Sequence, residues 1–339
     1  MLSLEQSRGQ RRPRPCCLPL GGHLGRRVPN RAAPRLHQHG AQPAWHPSAA
    51  LLHLSVPALP LNRSPIPLIR SKALELRPDF TWGLNDLGLV LRSKGLYLRQ
   101  HGRDSTEAFA RAAECFERAA ADPTYLFAQV NQVDLYTDLA ESDFQRGVDP
   151  EPHVRKALRA ADRALGIDPG FYSALNAAAD AALLQTEYLL RRGGDPRPLL
   201  ERALEYLERS RRANPDYGRT WFRFARVRHL SALLALREGG DAGARLDEGR
   251  LALEQALRLD ARCVECHVVG AQLEEVAAAW AARRGLPGLP HLQRALAEAR
   301  RAVALFSYGE AHQELARVYW LLARAQPPAR AGSFVKEGG

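Results

Sequence analysis

No run of about eighteen consecutive apolar residues occurs in this 339-residue chain, so the sequence offers no membrane-spanning helix. Cysteine is scarce and odd in number, five in all, so no disulfide framework is expected and a reducing, cytoplasmic setting is the default. The signatures of catalysis are also missing. There is no G-x-x-x-x-G-K-[ST] phosphate loop, no G-x-S-x-G elbow, no H-E-x-x-H and no H-R-D, and Asp79-Phe80 and Asp143-Phe144 lack the Gly of D-F-G. Acid pairs such as Glu274-Glu275 stand among many other charges and read as solvated helix faces. These absences argue against an enzyme.

Acidic residues are nearly absent from one end of the chain. Residues 1–65 hold nine arginines and a single acid, Glu5, whereas the remainder is close to balanced, with 39 basic against 36 acidic residues. The net charge of +11 therefore describes the first segment, and nucleic acid is not the expected partner of the rest. The same segment holds ten of the 23 prolines and five of the 11 histidines, without apolar periodicity. It reads as disordered, or as a translation started upstream or in the wrong frame. Arg26-Arg27 could belong to a twin-arginine signal, but Pro29, Pro34, Pro43 and Pro47 break the apolar or amphipathic stretch that an export or transit peptide needs. Residues 327–339, after Pro327-Pro328, read as a disordered tail.

Between these ends, 66–326, the sequence repeats. Pro78, Pro123, Pro169 and Pro215 fall 45, 46 and 46 residues apart, and Ala261 and Ser307 continue the series in steps of 46. Twenty-four residues after each of the first five positions stands a glycine: Gly102, Gly147, Gly193, Gly239 and Gly285. Two residues further come Asp104, Asp149, Asp195 and Asp241, with Pro287 in the last copy. Gly takes the left-handed turn that ends a helix, Asp caps the next, and Pro cannot continue one. Each unit is therefore a helix, a short turn, a second helix and a stop, which predicts an all-α array of antiparallel helix pairs. An aromatic residue recurs two positions after the mark (Phe80, Tyr125, Phe171, Tyr217) and is expected to staple one unit to the next. Leu68 to Arg77 reads as a second helix whose first helix is missing.

Six residues after the mark stand Leu84, Leu175 and Trp221, and three residues on come Leu87-Gly88, Ala178-Ala179 and Phe224-Ala225. This pattern resembles the tetratricopeptide repeat, which carries Trp or Leu followed by Leu-Gly or Ala-like pairs at those places. The period is 46 rather than 34, and Gln129 and His267 replace the Trp or Leu in the second and fifth units. The long helices and Gly-x-Asp turns are similar to the repeat regions behind the catalytic domain of large bacterial serine/threonine protein kinases. The resemblance implies a right-handed superhelix whose first helices line a concave groove, and a scaffold that binds a protein or extended peptide there. It also leaves open a regulatory region of a kinase whose catalytic part lies elsewhere. The groove positions are Trp82, Asn85, Phe127, Asn131, Asp134, Asn176, Asp180, Arg219, Phe222 and Arg226. Amides at Asn85, Asn131 and Asn176 could pair with a peptide backbone, and the arginines around Arg219 and Arg226 would suit an acidic or carboxylate-bearing partner.

One motif remains. Cys263-Val264-Glu265-Cys266-His267 matches the attachment sequence for c-type haem, and Cys263, Cys266 and His267 are the candidates for a metal, with distant His291 or His312 as the fourth ligand that zinc would need. Met1 is the sole methionine that could serve as a distal haem ligand. In the repeat register Cys263 takes the aromatic place of Phe171 and Tyr217, and Cys266 the small place of Gly83, Ala128 and Ala174. Both positions suit a small buried hydrophobe, so two core cysteines and no cofactor are expected.

Overall fold

The computed structural model describes residues 77–307 and 309–325; the segments 1–65 and 327–339 and the half-unit begun at Leu68 lie outside them, apart from Arg77. Eleven helices and no strand occur among the described residues. In chain order they are α1 (Thr81–Gln100), α2 (Thr106–Ala119), α3 (Leu126–Gln145), α4 (Glu151–Ile167), α5 (Tyr172–Arg192) and α6 (Arg197–Ala213). There follow α7 (Gly218–Arg237), α8 (Gly243–Leu259), α9 (Val264–Arg283), α10 (Leu289–Leu305) and α11 (Gly309–Ala325).

The punctuation works as the sequence implies. All five marker glycines have positive φ, between 65° and 83°, a region open to Gly at little cost. The residue after each glycine closes the same bond back across the helix end, from Arg103, Val148, Gly194, Gly240 and Leu286 to the carbonyls of Leu98, Asp143, Leu189, Ala235 and Ala281 at 2.8–2.9 Å. This is the Schellman closure, which satisfies a carbonyl that the helix leaves unpaired. Each following aspartate then accepts a backbone N–H two residues on: Asp104 from Thr106, Asp149 from Glu151, Asp195 from Arg197 and Asp241 from Gly243. The turns are thus locally determined and nearly identical.

Each odd-numbered helix from α1 to α9 packs antiparallel on the even one that follows it, and the odd helices also pack on one another in sequence through α11. They form an inner layer, buried by neighbours on several sides, which is why α5 has thirteen buried residues, most of them Ala or Leu. The even helices form the outer layer and bury one stripe, as in α6 with Leu200, Ala203, Leu207 and Ser210. Small residues set the spacing. Ala164, Ala256 and Ala302 are sealed between layers. Gly88 brings the backbone of α1 against the ring of Phe116 on α2: a Cβ there would lie 2.5 Å from Phe116 Cε1. The polar replacements in the second and fifth units are packed and paired. Arg163 donates to Gln129 Oε1 at 2.7 Å, while His267 Nδ1 lies 2.7 Å from Glu298.

Candidate functional site in the inner face

The inner layer presents the same register positions from α1, α3, α5, α7, α9 and α11, so side chains about one repeat apart in sequence become neighbours. Asn131 Nδ2 donates to Asn85 Oδ1 at 2.7 Å across 46 residues, and both side chains are buried. Asn176, 2% exposed, donates to the carbonyl of Tyr172 and to Ser210 and Thr220. The three amides therefore hold the units together instead of facing a peptide. Position seven of the register, held by Asn85 and Asn176, points into the layer contact, as does Asn131 one residue off it; Asn176 Oδ1 is left there without a partner.

The charged positions form a ladder. Arg92 on α1 donates to Asp138 on α3 at 2.5 Å and lies 3.7 Å from Asp134. Arg99 reaches the Asp138 carbonyl at 2.7 Å and Glu141 at 3.2 Å. On α7, Arg223 donates to Asp180 of α5 at 2.9 Å through Nε. Arg226 donates to Glu187 at 2.7 Å and lies 3.7 Å from Asp180. The Arg226 guanidinium is thus already committed, which removes the basis for an acidic partner at that position. Arg219 is half-buried at the edge of the face, and its carbonyl accepts from Arg223. Phe222 packs partly buried against the core.

Electrostatics join these pairs into one network. Asp134 feels Asp180 and Arg223 as well as Arg92 and Asp138, and burial raises its pKa above the usual carboxylate range. Burial also raises Glu141 and Glu310. Glu310, on α11, lies within the field of Glu141, Glu187, Arg226 and Glu265, so inner-face groups from α3 to α11 share one space. Its surface reaches water, yet protein surrounds it closely enough to disfavour the charge. His229 on α7 is pushed down to about 4: burial dominates, Glu187 opposes the shift, and Arg317 and Arg226 add to it. Burial opposes the charge on Arg92 and Arg226, but the adjoining carboxylates outweigh it and both are held above the ordinary arginine value. In this network Asp134, Asp138, Glu141, Asp180, Glu187, Glu265 and Glu310 stand against Arg92, Arg99, Arg223 and Arg226. Arg317, which also borders it, contacts Glu275. The balance is acidic. Sequence reasoning missed Arg92, Asp138, Glu141, Glu187 and Glu310; opposite charges 39–46 residues apart were the signal that could have found the first four.

At the N-terminal ends of the inner helices an aromatic row crosses four units. Trp82, Tyr125, Phe127, Phe171, Tyr172 and Tyr217 follow one another with ring centroids 4.9–6.1 Å apart. Tyr125, Phe171 and Tyr217 are the helix N-caps that staple the units. Trp82 and Phe127 differ: they are 63% and 42% exposed, the open part of the row.

The cysteine expectation is corrected. Cys263 and Cys266 are joined in a disulfide, with Cα atoms 5.3 Å apart. An N-cap residue and the third residue of the first turn come within the distance a disulfide spans, which the assignment to separate core positions overlooked. Cys266 is buried, Cys263 half-buried, and the Cys266 N–H donates to Cys263 Sγ at 3.2 Å. His267 turns to Glu298, and no group of three potential ligands able to hold a metal ion occurs among the described residues. The remaining described cysteine, Cys115, is free and buried.

No protein-family model matches the chain, and no curated protein does. Solved structures do. A tetratricopeptide protein from Thermus thermophilus is 21% identical, with 70% of this chain and 98% of that one covered and a TM-score of 0.38. The pilF protein of Pseudomonas aeruginosa is 16% identical over 75% of this chain and 99% of its own, with a TM-score of 0.38. The Cut9–Hcn1 assembly of the anaphase-promoting complex gives 15% identity and a TM-score of 0.47, over 80% of this chain and 42% of that one. The likeness concerns the fold and nothing finer. The helices, their pairing and the repeat register define a tetratricopeptide-like helical-repeat array. No helix among the described residues is long and apolar enough to cross a membrane.

Proposed function

We propose that this chain is a non-catalytic scaffold that holds a segment of a partner protein along its inner face, and that the segment is basic. The observation that carries the second part is the charge pairing: Asp134, Asp138, Glu141, Asp180, Glu187 and Glu310 share the face with Arg92, Arg99, Arg223 and Arg226, and each of those four guanidinium groups is already turned to a carboxylate, with Arg219 at the edge. A lysine or arginine entering this space meets Asp134, Glu141 and Glu310, whose charged forms burial disfavours and a cation restores, whereas an acidic residue meets more of its own sign. The exposed rings of Trp82 and Phe127 supply apolar and cation–π contact at one edge. Hot spots of binding favour such aromatic anchors.

The test pairs an arginine-rich peptide with an acidic one of equal length, read by calorimetry. The basic peptide binds, its affinity falls with salt, and Glu141→Gln with Glu310→Gln weakens it about tenfold, while Trp82→Ala weakens it with helicity unchanged. Preferential capture of the acidic peptide, lost on charge reversal at Arg219, would overturn the reading. Arg226 is unsuited to that comparison, because its replacement strands Asp180 and Glu187.

A further inference from the structure

Cys263 and Cys266 stand at the N-cap and in the first turn of α9, joined by a disulfide across three residues. The fold does not need that bond. In four other units the same two places hold Phe80 and Gly83, Tyr125 and Ala128, Phe171 and Ala174, and Tyr217 and Thr220. The inner helix starts there in the same way: ψ of the N-cap residue lies between 85° and 95° in those four, and Cys263 has 94°. A crosslink over so short a loop also takes little freedom from the unfolded chain and so adds little stability.

The two sulfurs are unequal. Cys266 is 1% exposed and packed in the core, whereas Cys263 is half-buried at the helix end. Cys263 Sγ also accepts the Cys266 N–H at 3.2 Å, and the N-cap side chains of α1 to α8 and α10 make no bond of this kind. That N–H serves a Cys263 thiolate equally well, so the turn keeps its cap when the disulfide opens. Glu265, the acid of the same turn, opposes the thiolate, and His267 is turned to Glu298. The reduced state is therefore supported by the backbone of the turn. An accessible sulfur bonded to a buried one, in a turn that forms with or without the bond, can open and close without cost to the fold.

We infer that Cys263–Cys266 is a thiol–disulfide exchange site, opened through Cys263 by a dithiol. One thiolate of the dithiol attacks Cys263 Sγ, the bond to Cys266 breaks, and Cys266 leaves as a thiolate that takes up a proton. The second thiolate of the dithiol then attacks the dithiol sulfur of the mixed disulfide and releases Cys263. The chain gains two electrons and two protons, and the dithiol departs as a cyclic disulfide. An incoming disulfide of the same class drives the reverse, with Cys263 as the attacking sulfur and Cys266 as the resolving one. Access selects Cys263 for both directions, because exchange needs an approach to the sulfur attacked. This activity does not rest on the charge reading of the inner face.

The full chain is equilibrated with graded mixtures of reduced and oxidised glutathione, quenched and alkylated, and each cysteine is read by peptide mass spectrometry. Excess reduced glutathione opens the pair and oxidised glutathione closes it again, whereas structural disulfides resist that pool. Far-UV circular dichroism stays the same throughout. After opening by dithiothreitol, iodoacetamide labels Cys263 at least tenfold faster than Cys266 or the buried Cys115. Cys266→Ala, the residue that Ala128 and Ala174 supply in other units, holds glutathione on Cys263 as a stable mixed disulfide. Cys263→Ser, whose hydroxyl suits an N-cap, leaves Cys266 unmodified until urea is added. A pair that stays closed in excess reduced glutathione, opening that requires urea, equal labelling of the two sulfurs, or loss of helicity on opening each overturns the assignment.

Discussion

Replacing Asp138 by Ala should detach the first described unit from the array before anything else unfolds. Arg92 Nε lies 2.5 Å from Asp138, and the two side chains are 8% and 11% exposed. Removing one partner of a buried pair leaves the other charge uncompensated and typically costs about 3–5 kcal/mol. Asp134 remains 3.7 Å from Arg92, so the low end, about 3 kcal/mol, is expected here. Contacts in a repeat array run between neighbours, so the loss falls on the α1–α3 interface and not on the whole chain. Converted at about 1.4 kcal/mol per decade, it raises the opening constant of α1 and α2 roughly a hundredfold. Native-state hydrogen exchange reads this directly: amides of Thr81–Gln100 and Thr106–Ala119 exchange faster, while those of α7 and α9 keep their rates. The double variant Arg92→Met with Asp138→Leu should recover part of the loss, since the packed apolar pair carries no charge of its own and only Asp134 loses its arginine. Unchanged exchange in α1, or a double variant as labile as the single one, would refute the reasoning.

Three further outcomes follow from the same geometry. Gly88→Val drives a Cβ into the Phe116 ring, so urea unfolding should show a loss of about 1–3 kcal/mol, partly restored by Phe116→Leu. His229, depressed to about 4 in the folded chain, binds its proton more readily when unfolded. Its contribution to stability is therefore present above the unfolded value near 6.5 and lost as pH falls toward 4, and His229→Gln should flatten that part of a thermal-stability profile. Glu275, pushed up to about 8 by burial and then by Glu314, has the opposite sign. Its stabilisation is complete below about 4.5 and lost as pH rises toward 8, so Glu275→Gln should be more stable than the parent at pH 8, with the gain concentrated in the docking of α11 on α9.

The sequence by itself determined where helices begin and end. Gly102, Gly147, Gly193, Gly239 and Gly285 end helices because a left-handed residue is a local requirement, and the aspartates two positions on cap through bonds spanning two residues. The stapling aromatics were legible for the same reason: Tyr125, Phe171 and Tyr217 are set by the turn that precedes them. The site was not legible in this way. Asn85 and Asn176 occupy a place that the family pattern assigns to a groove, with Asn131 one residue off it, yet the rotation of each helix against its neighbour turns all three into the contact between units. Arg226 looked like a free cation until the packing of α5 on α7 placed Asp180 and Glu187 beside it. Cys263 and Cys266 read as two core residues until the first turn of α9 brought their sulfurs together. Local backbone chemistry acts over two to five residues and is written in the chain. Charge pairing across 39–46 residues depends on the pitch and rotation of stacked helices, which depend on every side-chain volume in between, and only the tertiary structure decides it.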